Sequence, residues 1–135
     1  MPVDEERWKD RFDHFGNAWQ VFCRIQQRYQ ETPDDETCRM ALVQAFEFTF
    51  ELAWKTMKDY LESEGFRDLG GSKQTIRNAY QAGLIQEAEE WMEAVQKRNL
   101  TTHIYDPTIL NESIEYITNT FFLLAQKLYA DLKEK

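Results

Sequence analysis

Apolar residues recur at alternating spacings of four and three along two long stretches, and this periodicity limits the possible folds more than any other feature of the sequence. In the N-terminal stretch, the residues in this register are Trp8, Phe12, Phe15, Trp19, Phe22, the polar Gln26 and Tyr29. The C-terminal stretch does the same with Leu110, Ile114, Ile117, Phe121, Leu124 and Leu128. Such spacing lays a single stripe along one face of an α-helix. No stretch shows the period of two that a β-strand requires, so the pattern predicts an all-α fold.

Glycine and proline divide the chain into five expected helices. The predicted helices span residues 4–29, 37–64, 72–81, 86–100 and 107–133. Pro33 and Gly65 fall between these segments, as helix-terminating residues do, and Ser72 is the expected N-cap of the short third helix. Gly16 lies inside the first helix, where it is placed to allow a neighbouring helix to approach closely. We therefore predict an up-and-down four-helix bundle with one additional short helix, in a single domain over residues 1–135.

The second helix carries apolar side chains around most of its circumference. Its apolar positions include Leu42, Ala45, Phe46, Phe48, Phe50, Leu52, Ala53, Trp54, Met57, Tyr60 and Leu61. Such a helix is either central in its bundle or faces a second subunit, and we expect a homodimer. Glu47, Glu51 and Lys55 form a charged row within this apolar field. Ion pairs along the helix surface explain the row; the functional alternative is a carboxylate close to a phosphate-handling site.

Charge and composition exclude several classes of protein. The 135 residues carry 24 acidic and 16 basic side chains, a net charge of −8. Such a surface repels nucleic-acid phosphates at long range, which argues against a general nucleic-acid-coating protein but permits a small local basic site. Cys23 and Cys38 lie in separate helical segments without clustered histidines, so we expect reduced thiols, no metal and no cofactor. No apolar stretch approaches the ~20 residues that span a bilayer, and we expect a cytoplasmic protein without membrane contact.

Three side chains suited to phosphate chemistry lie close together near the end of the fourth helix. Arg98 offers a permanently charged, planar fork, His103 offers an imidazole that can carry a proton near neutral pH, and Tyr105 offers a phenol. In a continuous helix, positions five apart point about 140° away from each other. Pro107 should end the helix between residues 100 and 103, and a loosened last turn would let the imidazole swing toward the guanidinium. An ordinary explanation stays open, in which Arg98 caps the helix C-terminus and His103 is a loop residue.

Three blocks of sequence, taken in order, resemble the nucleotidyltransferase substrate-binding protein family, a branch of the HEPN superfamily. From residue 48 the chain reads FTFELAWK, from residue 76 it reads IRNAYQAGLI, and from residue 97 it reads KRNLTTHIY. The likeness covers nearly the whole chain, and three ordered blocks are far more specific than one short spacing. The resemblance implies a helical bundle that dimerises. It also implies a minimal nucleotidyltransferase as partner, in many cases as the antitoxin to a toxin.

The resemblance further implies roles for individual residues. Arg98 would hold the scissile phosphate of an RNA, and His103 would assist proton transfer at the ribose 2′-hydroxyl, as in a metal-independent ribonuclease. Tyr105 matches the tyrosine that receives AMP from the partner enzyme in a related toxin branch, and we expect Asn99 and Glu51 to support the site. Two other interpretations remain: a non-catalytic accessory subunit that binds the transferase or its substrate, and a helical dimer without chemistry. A dimer would supply two imidazoles, one as base and one as acid.

Overall fold

The computed structural model describes residues 2–135, with side chains from Asp4 onward, and this part of the chain is helical with no strand. Its elements are α1 (Pro2–Glu31), α2 (Glu36–Ser63), α3 (Ser72–Gln81), α4 (Ala88–Leu100), a 3₁₀ turn (Thr101–His103), α5 (Pro107–Tyr116), a π-helical turn (Ile117–Phe121) and α6 (Phe122–Lys133). The last three run on without a break, and we call residues 107–133 the C-terminal helix. The all-α prediction is confirmed. Among the described residues, no helix is long and apolar enough to cross a membrane.

α1 and α2 form an antiparallel pair along most of their length. Asp35 ends the connection between them, and its carboxylate accepts a hydrogen bond of 2.9 Å from the backbone N–H of Thr37 at the start of α2. Near the other end of the pair, Arg11 Nε donates to Asp59 Oδ2 at 3.0 Å. Asp59 is buried, so this ion pair satisfies a carboxylate that burial would otherwise penalise.

α2 is the central helix of the bundle. It packs against α1, α3 and the C-terminal helix. The buried ring of Phe121 in the C-terminal helix lies 4.8 Å from the ring of Phe46 in α2 and 5.9 Å from that of Trp91 in α4, measured between centroids. The apolar circumference of α2 is therefore covered largely within the chain, which supports the central interpretation. The homodimer stays a prediction.

Most positions of the two apolar stripes that define the fold class are buried, while Phe12, Tyr29 and Leu110 are partly buried. Phe15 and Phe22 in α1, and Ile117 and Phe121 in the C-terminal helix, have no exposed surface. The π-helical turn at Ile117–Phe121 was not expected from the spacing. It adds a residue to one turn, and the Thr118 hydroxyl donates to the carbonyl of Ile114 at 2.9 Å within the same stretch. Ile117 and Phe121, at the two ends of this turn, both remain fully buried, so the apolar stripe stays in the core.

Two local predictions about helix ends and close approach have different outcomes. Ser72 is the first residue of α3 and not its cap, because Gly71 takes the extended cap conformation without a side-chain bond. Gly16 does allow a close approach. A Cβ atom at this position would lie 3.2 Å from Cε1 of Tyr129 in α6.

Candidate functional site

The segment that carries the candidate site is a helix end followed by a tight turn. α4 ends at Leu100 and the 3₁₀ turn follows directly, as the sequence predicts. Asp106 has the extended conformation that a following proline imposes, with φ −82° and ψ 118°. Its carboxylate accepts a bond of 2.9 Å from the N–H of Thr108 and caps the C-terminal helix. The break after α4 is therefore fixed by Pro107 and by this cap together.

Contacts to the C-terminal helix hold α4 in place at its first turns. The Tyr116 hydroxyl donates to the carbonyl of Glu90 at 2.7 Å, and burial, reinforced by the charges of Glu93 and Glu90, raises the pKa of this phenol. Tyr116 therefore remains a neutral donor. Lys127 Nζ donates to Glu87 Oε2 at 2.9 Å, and this bond lowers the pKa of the Glu87 carboxyl. The helix that presents Arg98 is thus anchored before it reaches the site.

Arg98 is held by a carboxylate from α2 and by a hydroxyl from its own turn. Its Nη1 lies 3.0 Å from Glu47 Oε2 and donates to Thr101 Oγ1 at 3.0 Å. The Thr101 hydroxyl lies 2.8 Å both from Glu47 Oε2 and from the carbonyl oxygen of Arg98, and its single proton can serve only one of these acceptors at a time. The Arg98 Nε atom is buried without a partner, while 37% of the side chain remains exposed. The exposed edge of the guanidinium is available to an anion.

His103 and Tyr105 form a second, more exposed pair. Nδ1 of His103 lies 3.4 Å from the Tyr105 hydroxyl, and the ring centroids are 6.1 Å apart. Tyr105 is 78% exposed. The structure therefore brings His103 to Tyr105 and Arg98 to Glu47. Within the described residues, no hydrogen bond joins Arg98 to His103, although both lie at the same end of α4.

A cleft of about 370 Å³ opens beside Arg98, between α2 and α4. The side chains that line it are Phe50, Glu51, Trp54, Ser72, Val95, Arg98, Asn99 and Thr102. Asn99 and Glu51, the two predicted supporting residues, thus face the same space as Arg98. Glu51 also lies 3.8 Å from Lys55 along α2, so the ion-pair explanation of the charged row holds for this pair.

Two residues in contact with Arg98 were not identified from the sequence as parts of the site. Glu47 belongs to the predicted charged row, but its partner lies in a different helix and spacing alone cannot show such a pair. Thr101 lies inside the matching block at residue 97 and could have been singled out as the first hydroxyl after the arginine. Among the described residues, no group of three or more His, Cys, Asp or Glu side chains is placed to hold a metal ion.

The all-α bundle, with its Arg-x4-His-x-Tyr segment at the end of α4, agrees with the family resemblance of the sequence. The family model described as nucleotidyltransferase substrate binding protein like matches residues 10–134. The chain belongs to this family.

Individual relatives agree with this assignment. The probable ribonuclease HepT of Haemophilus influenzae is 31% identical over 99 residues, which cover 67% of this chain and 68% of that protein. A Haemophilus influenzae structure reported to reveal the fold of a substrate-binding domain of a nucleotidyltransferase superposes with a TM-score of 0.81, covering 90% of this chain and 98% of its own, at 24% identity. A crystal structure from Thermus thermophilus superposes with a TM-score of 0.68 at 26% identity, covering 87% of this chain and 96% of its own. At 24% identity, the first of these two structures bears on the fold alone.

Proposed function

We propose that this protein is a metal-independent endoribonuclease that acts as the toxin of a two-gene pair and is neutralised by a minimal nucleotidyltransferase. The observation that carries the proposal is the presence of a partly exposed guanidinium and an exposed imidazole at one helix end, in the order Arg98 then His103. The relative named probable ribonuclease HepT supports it. With an RNA substrate and this partner, the protein would act in the cytoplasm.

The two side chains suit cleavage by the ribose 2′-hydroxyl. In this reaction His103 takes the 2′-hydroxyl proton, the freed oxygen attacks the adjacent phosphorus, and the bond to the 5′-oxygen breaks. The products are a 2′,3′-cyclic phosphate and a 5′-hydroxyl, whose oxygen needs a proton from a general acid. Arg98 pairs with the phosphate oxygens and stabilises the charge that develops on them. No redox step and no added co-reactant are required.

The general acid is best supplied by a second copy of the chain. Each protomer offers one histidine at the site, and one imidazole cannot act as base and acid in the same turnover without an intervening proton exchange. In a homodimer that faces its two α4 ends toward one cleft, His103 of one protomer can act as base and the partner's His103 as acid.

Tyr105 is the proposed point of neutralisation. Its phenol is 78% exposed, as a protein-modifying enzyme requires. In adenylylation the phenol oxygen attacks the α-phosphate of ATP, pyrophosphate leaves and the phenolic proton is lost. Because the hydroxyl lies 3.4 Å from His103 Nδ1, the adenylate would be attached directly beside the imidazole. One modification thus adds negative charge and bulk where the RNA must enter.

RNA cleavage by the purified protein tests the nuclease. We expect cleavage in the presence of EDTA, and we expect His103→Ala and Arg98→Ala each to reduce the rate by about 10²-fold or more. His14→Ala is the matched control, because the only other histidine is exposed on α1, and it should cleave like the wild type. Circular dichroism would show that the variants remain folded. Cleavage that persists in both variants would remove Arg98 and His103 from the reaction.

Mass spectrometry tests the modification. The protein would be incubated with ATP and a nucleotidyltransferase encoded next to it. The intact mass and the peptide masses of the protein would then be measured. We expect the mass to rise by adenylate units in the wild type and in Tyr80→Phe, but not in Tyr105→Phe. An equal rise in Tyr105→Phe would place the modification elsewhere.

One observation favours a second candidate, a non-catalytic accessory subunit. In the isolated chain, Arg98 is engaged by Glu47, and His103 is engaged by Tyr105. Such contacts suit a rigid surface for a nucleotidyltransferase or its substrate as well as a nuclease. If the protein changes the rate of the transferase but cleaves no RNA, and Arg98→Ala abolishes that change, the accessory function is correct and the nuclease is not.

A further inference from the structure

Among the described residues, which include all four tryptophans, Trp54 is the tryptophan that has exposed surface at a cleft. Trp8, Trp19 and Trp91 are at most 9% exposed and belong to the core. Trp54 is half-buried and lines the cleft beside Arg98. Lys55 Nζ lies 6.0 Å from the centre of the indole ring, at the outer limit of a cation–π contact. The core packing of the bundle therefore does not account for the exposed part of this side chain.

The cleft has an apolar floor, an aromatic wall and a cationic wall. Phe50 and Val95, which are 2% and 6% exposed, close it toward the core. α2 presents Trp54 on one side, and α4 presents Arg98 one turn beyond Val95 on the other. Ser72, Asn99 and Thr102 complete the lining with hydrogen-bonding groups. A planar apolar ligand attached to an anion would complement these walls.

We infer that the cleft binds a nucleobase of single-stranded RNA, stacked on Trp54, while the phosphate next to it pairs with Arg98. This inference rests on the proposed function, because it assigns the RNA phosphate to Arg98. Every base has a π-face, so stacking on one indole holds RNA with little sequence preference. Asn99, Ser72 and Thr102 can donate to or accept from the edge of the stacked base.

The charges around the cleft allow this arrangement in an acidic protein. Glu51 in the lining is 3.8 Å from Lys55, and both side chains are 41% exposed, so this pair is loose. Lys55 can leave Glu51 for the phosphate that follows the stacked base. The nucleotide then meets two cations, Arg98 and Lys55.

An adenylate on Tyr105 is the competing occupant, and the geometry favours RNA over it. Tyr105 is not among the residues that line the cleft, and its hydroxyl lies against His103. Arg98, Asn99 and Thr102 all face the cleft. A base that stacks on Trp54 in the cleft therefore need not displace Tyr105.

Fluorescence binding with a non-cleavable RNA tests the inference. A short 2′-O-methyl oligoribonucleotide lacks the attacking hydroxyl, so its affinity is independent of cleavage. Because the other three tryptophans are buried, stacking should quench the emission of Trp54 alone, and the quench should disappear in Trp54→Phe. Anisotropy of the labelled oligonucleotide would give the dissociation constants. Titration with AMP is the parallel arm.

Two substitutions at Trp54 distinguish the contribution of stacking on an aromatic ring from that of contact with an apolar side chain. Trp54→Leu keeps an apolar side chain and should raise the dissociation constant by about 5- to 100-fold, the range for loss of one base–aromatic stack. Trp54→Phe retains a ring and should raise it by less than about fivefold. Tyr80→Leu is the matched control, because Tyr80 is 53% exposed at the far end of α3, and it should bind like the wild type.

Each outcome has a defined consequence. Binding by Trp54→Leu within twofold of wild type overturns the inference, and so does quenching by AMP without binding of the oligonucleotide. RNA cleavage by a wild-type protein whose fluorescence does not respond overturns the inference and leaves the proposed nuclease standing. Trp54-dependent binding without any cleavage supports the inference and overturns the nuclease. If the wild-type protein neither binds the oligonucleotide nor cleaves RNA, both the inference and the proposed nuclease are overturned.

Discussion

At the scale of single residues, the best-defined feature is the way Arg98 is held. Its Nη1 meets Glu47 at 3.0 Å, and Thr101 touches both. Glu47 fixes the direction of the guanidinium, but it also offers a negative charge where an RNA phosphate must bind. These two effects have opposite signs for affinity. The exposed ion pair contributes little to folding, since the Arg98 and Glu47 side chains are 37% and 31% exposed.

Glu47→Gln separates the two effects. Glutamine keeps an oxygen that can accept from Arg98, and the competing charge is removed. We expect the dissociation constant for a 2′-O-methyl oligoribonucleotide to fall by about two- to fivefold at low salt, and the gain to shrink at about 1 M salt, where the Debye length is about 3 Å.

The control for this prediction is a glutamate of equal charge at a distance from Arg98. Glu64 is exposed at the C-cap of α2, about 25 Å along the helix from Glu47, and Glu64→Gln changes the net charge by the same amount. Its affinity should remain close to that of the wild type. Weaker binding by Glu47→Gln would mean that Glu47 acts mainly by positioning Arg98.

Residue-scale geometry is also where sequence analysis reached its limit. The break of the helix before Pro107 followed from the local rule for residues that precede proline. The contact between Glu47 and Arg98 joins two helices, and no local rule specifies which of the acidic residues on α2 faces α4. The sequence pointed to Glu51 as the supporting carboxylate, and the structure places Glu51 in the cleft while Glu47 makes the ion pair.

At the scale of helices, α1 and α6 approach closely at Gly16, and substitutions that add a side chain at this position test the contact. Tyr129 lies over Gly16, stacks on Phe12 with centroids 5.2 Å apart, and meets Phe15 edge to face at 6.1 Å. Any side chain at Gly16 pushes Tyr129 away from these rings. Because Tyr129 is only partly buried, it can yield to a small group but not to a branched one.

Gly16→Val should destabilise the bundle by about 1–3 kcal/mol, the usual cost of overpacking. Gly16→Ala should change stability by less than about 1 kcal/mol, because the helix propensity of alanine offsets the tight contact. Urea unfolding followed by circular dichroism gives both values. In a Tyr129→Ala background most of the valine penalty should vanish. An unchanged penalty in that background would mean that Tyr129 is not the group that is displaced.

Sequence periodicity predicted the helices well, because the apolar residues that recur with the helical period are the same residues that the bundle buries. The stripe that contains Phe15 and Phe22 is buried as expected. The π-helical turn escaped prediction, since the regular spacing of Ile117, Phe121 and Leu124 runs through it without interruption. The cap of α3 escaped for a different reason, because Gly71 and Ser72 are both acceptable cap residues and only the backbone distinguishes them.

At the scale of the whole molecule, the apolar faces of the helices are largely buried within one chain, and the chain carries a net negative charge. Because the other helices largely cover α2, its apolar circumference does not argue for a dimer. The argument for a dimer rests instead on exposed apolar side chains and on the chemistry of the site. Leu123 is 59% exposed and Met40 is 38% exposed, both large apolar side chains. A net charge of −8 per chain opposes association of two copies at low salt.

We predict a homodimer whose two chains share one reaction. Light scattering at tens of micromolar should give a mass of twice 16.2 kDa, and the dimer should dissociate less readily as salt screens the two acidic surfaces.

Mixing wild-type and variant chains then tests whether the two protomers share one site. If the base and the acid are the His103 side chains of the two chains, a heterodimer of wild type with His103→Ala retains only one of them and should cleave RNA as slowly as the His103→Ala homodimer. Adding His103→Ala to the wild type under conditions that exchange subunits should therefore lower the cleavage rate in proportion to the square of the wild-type fraction. The control is a mixture of wild type with His14→Ala, which keeps both His103 side chains and should retain full activity. A mass of 16.2 kDa at every concentration and salt tested would exclude the shared site, and full activity of such a monomer would require a single chain to supply both base and acid.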